Sequence, residues 1–133
     1  DLLCHKAERV IVVPPALRGE SLENHWNRRL ANLAGLIKDV TASCDRAEFL
    51  DLRAAFAREL AGWSGSDHVP KNPFRVLLDA LTLRTNEQID AKAAERGLYL
   101  TLDGVHLNSA GAKLAAEEFA SSVEKRRGEQ EGY

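Results

Sequence analysis

Val10-Ile11-Val12-Val13-Pro14-Pro15 is the stretch on which the fold turns. Four consecutive β-branched residues favour extended backbone, because branching at Cβ restricts χ1 and suits a pleated surface. The run is apolar throughout and does not alternate. That pattern predicts a strand covered on both faces, as in a parallel sheet. The prolines lack a backbone N–H and cannot continue a ladder, so the chain leaves the sheet there.

Working outward, Ser21 is a candidate N-cap with Glu23 in the first turn of a helix. Leu30, Leu33, Ala34, Ile37 and Val40 recur at helical spacing to about residue 42, and this face is expected on the sheet. Phe49-Leu50 with Leu52 predicts a second short strand, residues 53–61 a short helix, and residues 62–73 a loop. Asn72-Pro73 is a helix start for a run to about Arg84 that carries Phe74, Leu77, Leu78 and Leu81. Thr85-Asn86-Glu87-Gln88 is a capping box for another helix, which Gly97 stops. Leu98-Tyr99-Leu100-Thr101 reads as a short extended piece. The last helix starts near Asn108 or Ser109 and runs to about Lys125, with Ala112, Ala115, Ala116, Phe119, Ala120 and Val123 as its apolar face. Residues 1–7 read as the end of a helix.

Strands alternating with helices imply an α/β fold: three layers, α/β/α, around a parallel sheet. Two strands alone leave two open edges and are not independently stable. The remaining strands are therefore expected upstream of Asp1, and residues 1–133 are read as the C-terminal portion of a single domain. The absence of any Met agrees with a fragment, a processed product or a trimmed chain.

With 44% hydrophobic and 29% charged residues and a net charge of −2, the composition is that of an ordinary globular domain. It has no basic excess, so a nucleic-acid partner is not expected. Lys125-Arg126-Arg127 is read as a solvated helix end. No apolar run approaches the ~20 residues of a membrane span, and Asp1-Leu2-Leu3-Cys4-His5-Lys6 lacks the features of a secretory signal. Cys4 and Cys44 are too few for a disulfide framework or a zinc site. Two buried thiols are expected, a single disulfide being the alternative, and the compartment stays open. The four histidines show no metal-ligand spacing, so neither metal nor cofactor is expected.

The chemistry is carried by Asp103-Gly104-Val105-His106-Leu107-Asn108, on a loop before a helix start. A Gly between acid and imidazole lets the chain turn tightly enough for the carboxylate to reach the near ring nitrogen. The acid then fixes the tautomer, and the far nitrogen can take a proton from a serine hydroxyl. The same spacing also fits a surface Asp–His pair that caps the last helix.

The longer string Asp103-Gly104-Val105-His106-Leu107-Asn108-Ser109-Ala110-Gly111, followed by an Ala-rich helix, resembles the final block of the SGNH (GDSL-type) hydrolases. Asp-Gly-x-His-Leu is closest to the branch of the isoamyl acetate-hydrolysing esterases. The strand into Pro14-Pro15 and Phe49-Leu50-Asp51-Leu52 resemble two strands of that family; residues 62–97 match least. The resemblance implies a flavodoxin-like SGNH hydrolase fold whose N-terminal strands are absent from this chain. It makes His106 the general base and Asp103 its orienting acid. It further implies hydrolysis of a small carboxylic ester through a serine that the chain does not provide. The family's Gly-Asp-Ser and Gly-x-Asn blocks precede the Val10 strand in family order, so an upstream segment or a second chain would carry the nucleophile and oxyanion donors.

Ser64 and Ser66 only approach Gly-x-Ser-x-Gly and are read as loop residues. Ser109 is read as a helix cap. His25 and Trp26, after the first strand, are candidate substrate-binding residues, against a reading in which Trp26 packs and His25 is solvated. His68, beside Asp67, is expected at the surface, and His5 at the far end of the sheet. The segment 62–97, with Phe74, Leu77, Leu78 and Leu81, is a candidate cap over the site. A reading from another class is a non-catalytic binding or assembly module that keeps the fold's edge and lacks the nucleophile.

Overall fold

A computed structural model describes residues 7–131, with side chains for all of these except Pro73 and residues 126–131. Two strands, β1 (Val10–Val12) and β2 (Ala47–Phe49), pair in parallel with Val10 opposite Ala47 and Val12 opposite Phe49. Five helices follow the same chain: α1 (His25–Ala42), α2 (Leu52–Glu59), α3 (Pro73–Thr82), α4 (Asn86–Glu95) and α5 (Ser109–Glu131). The molecule is thus mixed α/β. The helix read over residues 1–7 falls, but for Ala7, outside the described residues.

Helix α1 crosses from β1 to β2, as a parallel connection requires. Side chains alternate across a strand. Phe49 lines a cleft together with Ala31, Ala34 and Gly35 of α1, while the Glu48 carboxylate accepts a 2.8 Å hydrogen bond from Ser122 of α5. The two helices therefore approach β2 from opposite sides. The core forms where α2, α5 and residues 98–101 meet the chain leaving β1: Leu17, Leu52, Phe56, Leu60, Leu100 and Ala115 are buried together.

Several helix ends follow local chemistry. Asn72 accepts from the Phe74 N–H at 2.9 Å, ahead of Pro73. The Thr85–Gln88 capping box closes in both directions, and α4 stops at Gly97 with φ 68°. Other boundaries move. The N-cap of α1 is Asn24, not Ser21: its side chain accepts from the Asn27 N–H at 2.7 Å, while the Ser21 carbonyl is taken up by a turn to Asn24. Leu52 begins α2 instead of extending β2, because Asp51 caps the Ala54 N–H. Residues 98–101 form no strand; Thr101 makes only an isolated antiparallel bridge to Leu107. Helix α5 runs past Lys125 to Glu131, so the basic triplet lies within it and not at its end.

Burial departs more from expectation. Both strands are half-buried, not covered: among the described residues the sheet has two strands. Helix α1 buries Asn27, Ala34 and Thr41, leaving Leu33, Leu36 and Val40 exposed. Helix α5 buries Gly111, Ala115 and Ser122, while Ala112, Ala116, Phe119, Ala120 and Val123 face outward. Cys44 is disulfide-bonded and no described cysteine is free, which corrects the two-thiol expectation; the chain's other cysteine, Cys4, lies outside the described residues. Among these residues no helix is long and apolar enough to cross a membrane.

Candidate active site

The turn at residues 103–106 is built by its own backbone. Gly104 takes φ 82°, a left-handed conformation that costs an L side chain energy. The Leu102 N–H donates to the His106 carbonyl at 2.7 Å, closing the loop. Inside it, Asp103 Oδ1 accepts from the Val105 and His106 N–H groups at 3.1 and 2.8 Å. Its other oxygen, Oδ2, lies 2.8 Å from His106 Nδ1.

The two side chains differ sharply in exposure: 3% for Asp103 and 64% for His106. Burial pushes the Asp103 carboxyl upward. The bonds from the His106 backbone and ring, the Val105 N–H and the charge of the ring outweigh it and hold the pKa below the ordinary value. An ionised carboxylate only accepts, so in the neutral ring the proton sits on Nδ1 and the lone pair on Nε2. Among the described residues no hydrogen bond reaches Nε2. The arrangement can orient an imidazole and stabilise its protonated form. No hydroxyl or thiol among the described residues hydrogen-bonds to the His106 ring.

The turn rests on the chain leaving β1. Gly19 N–H donates to the Gly104 carbonyl at 2.7 Å, and Asn27, fully buried, holds residues 18–21 through Arg18 N–H and the Gly19 and Ser21 carbonyls. Residues 67–69 close the third side: Asn24 donates to Asp67, and Val69 lies within 3.0 Å of where a Gly104 Cβ would be. His68 is correspondingly half-buried with its Nε2 enclosed and unpartnered, not at the surface as expected. Its backbone carbonyl lies against Gly104.

Beside His106 lies a cavity of about 140 Å³, lined by Val76, Asp79, Ala80 and Leu83 of α3 and its end, with Ile89, Leu102, Asp103 and His106. Segment 62–97 thus does reach the site, but through Val76 and Ala80. The four residues that motivated the cap, Phe74, Leu77, Leu78 and Leu81, are exposed on the other face of α3. Arg96 fastens α3 in place: its guanidinium pairs with Asp79 at 2.7 Å and donates to the Leu102 carbonyl at 3.0 Å.

The other sequence candidates stand apart from this pair. His25 and Trp26 begin α1 and contact each other edge to face at 5.5 Å, with Arg18 stacked 4.1 Å from the Trp26 ring. Neither bonds to Asp103 or His106. Ser66 Oγ accepts from the His68 N–H at 3.1 Å, as a loop residue does. Ser109 opens α5, but the cap is Asn108, whose Oδ1 accepts from Gly111 N–H at 3.0 Å. Among the described residues no cluster of three His, Cys, Asp or Glu side chains could hold a metal ion. Sequence reading missed Glu20, buried beneath the turn, for which no local motif exists.

The fold and site together define an α/β chain with an acid–histidine pair on a loop ahead of a helix. Compared with known families, curated proteins and solved structures, the chain gives no significant match to any of them.

Proposed function

We propose that this chain carries the acid–histidine half of a serine esterase of the SGNH type, with His106 as general base and Asp103 as its orienting acid. The observation that carries the reading is the 2.8 Å contact from buried Asp103 Oδ2 to His106 Nδ1, in a His106 side chain that is 64% exposed. A serine placed at Nε2 would lose its proton to the ring as it attacks an ester carbonyl. Asp103 would stabilise the resulting imidazolium, and the same ring would return the proton to the departing alkoxide. Water activated by His106 would then hydrolyse the acyl-enzyme.

In this reading the serine and oxyanion donors come from an upstream segment of the same polypeptide or from a second chain, and complete a three-layer α/β/α fold. The small sheet, two-stranded among the described residues, and the exposed apolar residues on α1 and α5 support such a neighbour. The cavity beside His106 is small and mostly apolar, which suits a short acyl or alcohol group under α3.

The same exposed faces also favour a second reading, a non-catalytic assembly module. The coding region upstream of Asp1 separates them when expressed together with this chain and assayed on p-nitrophenyl acetate. Turnover that falls by several orders of magnitude in His106→Ala is expected for the esterase. Near-normal turnover in that variant removes His106 from the mechanism, and no turnover in the wild type leaves the assembly module.

A further inference from the structure

Glu20 is 2% exposed, yet no cation pairs with it among the described residues. Its carboxylate instead receives four hydrogen bonds from one short stretch of chain. Oε2 accepts from the Tyr99 N–H at 2.7 Å. Oε1 accepts from the Leu100 and Thr101 N–H groups, each at 2.8 Å, and from the Thr101 hydroxyl at 2.7 Å. Burying an acid costs several kcal/mol unless its oxygens are satisfied. Successive backbone N–H groups converging on one anion form a nest that meets this cost.

The clamp has a direction. Because the Thr101 hydroxyl gives its proton to Glu20, its oxygen is free to accept, and it does so from the Gly104 N–H at 3.1 Å. The neighbouring Gly19 N–H holds the Gly104 carbonyl at 2.7 Å. Both backbone polar groups of Gly104, the first of the two residues inside the acid–histidine turn, are thus fixed from residues 19 and 20, one directly and one through Thr101. Thr101 is itself 1% exposed, so no water substitutes for either bond without repacking.

We propose that Glu20 is a positioning residue for the Asp103–His106 pair: through Thr101 it sets the Gly104 peptide, and thereby the register at which Asp103 Oδ2 meets His106 Nδ1. The proposal rests on the esterase reading for its purpose but not for its geometry. Glutamine cannot replace the acid, since an amide has one acceptor oxygen and its NH2 would face a backbone N–H donor on one side of the clamp.

The test is the ring of His106 in the ¹⁵N-labelled chain, followed by long-range ¹⁵N–¹H correlation and assigned with His106→Ala. Wild type is expected to show the Nδ1–H tautomer. In Glu20→Gln that population falls toward an even mixture of tautomers while the amide signals of α1 and α2 stay in place. Thr101→Val is expected to do the same, and Thr101→Ser, which keeps the hydroxyl, to restore the wild-type spectrum. If Glu20→Gln does not fold, the two Thr101 variants decide. An unchanged ring in Glu20→Gln or Thr101→Val overturns the clamp. Ester turnover is measured separately: its absence from the wild-type assembled protein overturns the esterase reading and leaves the clamp standing.

Discussion

Replacing Gly104 by alanine tests whether the acid–histidine turn is as tightly enclosed as its contacts indicate. Two costs arise. The residue sits at φ 82°, where an L side chain loses about 1–2 kcal/mol against its preferred conformation. The new methyl would also collide with the His68 backbone oxygen and press on Val69 Cγ2 at 3.0 Å and Gly19 Cα at 3.1 Å. Two of these neighbours are backbone and cannot swing away, so overpacking adds roughly 1–3 kcal/mol. The sum is about 2–5 kcal/mol. At ~2.1 cal/mol/K per residue, a chain of 133 residues unfolds with an entropy near 0.28 kcal/mol/K, so Tm falls by roughly 7–18 °C. Gly62→Ala is the control: φ is 88°, but nothing lies within 4 Å of the added Cβ. It should lose the conformational cost alone, about 4–7 °C. Differential scanning calorimetry of the three proteins decides. Equal losses in the two variants would refute the close approach of residues 19, 68 and 104.

Asp103→Asn keeps an acceptor for the Val105 and His106 N–H groups but presents an NH2 to Nδ1, forcing the ring proton to Nε2. The folded-state pKa of Asp103 is lowered from 3.8, so its ionisation stabilises the fold above that pH and ceases to as pH falls through the folded value. The stability gap between wild type and variant, on the order of 1 kcal/mol at neutral pH, should close below pH 3.8 in urea titrations; a gap that widens there contradicts the assignment. Arg96→Ala leaves Asp79 half-enclosed without its cation and releases the Leu102 carbonyl. A loss of about 3 kcal/mol is expected by denaturant titration, and a loss under ~0.5 kcal/mol would mean α3 is held by other contacts. Leu77→Gln should stay within ~0.5 kcal/mol of wild type because its side chain is exposed. If the esterase reading holds, Ala80→Leu, at the His106 cavity, should shift KM for esters of different chain length once the missing segment is supplied; identical KM values across a series would exclude α3 from substrate binding.

What the sequence determined by itself is what neighbours in the chain settle between themselves. Asn72-Pro73, the Thr85–Gln88 box and the Gly97 stop act over three or four residues, and they formed as read. So did the Asp103–His106 contact, because only three peptide units separate the partners. Strand β1 was legible too, since a continuous β-branched run closed by prolines has few other uses, but β2 lies at Ala47–Phe49 and shares only Phe49 with the strand read from Phe49, Leu50 and Leu52.

Tertiary structure decided which faces are covered and what supports the turn. Periodicity placed Ala112, Ala115, Ala116 and Phe119 inward; of these only Ala115 is buried, and α5 packs through it together with Gly111, which lies against the Leu100 carbonyl where no side chain fits, and Ser122, which bonds Glu48. The inward face of a helix is chosen by what lies opposite, and that information sits elsewhere in the chain. Glu20 meets Thr101 across 81 residues, a distance over which no spacing rule operates. A buried acid and a surface acid are the same letter until the chain folds and brings four donors to one of them.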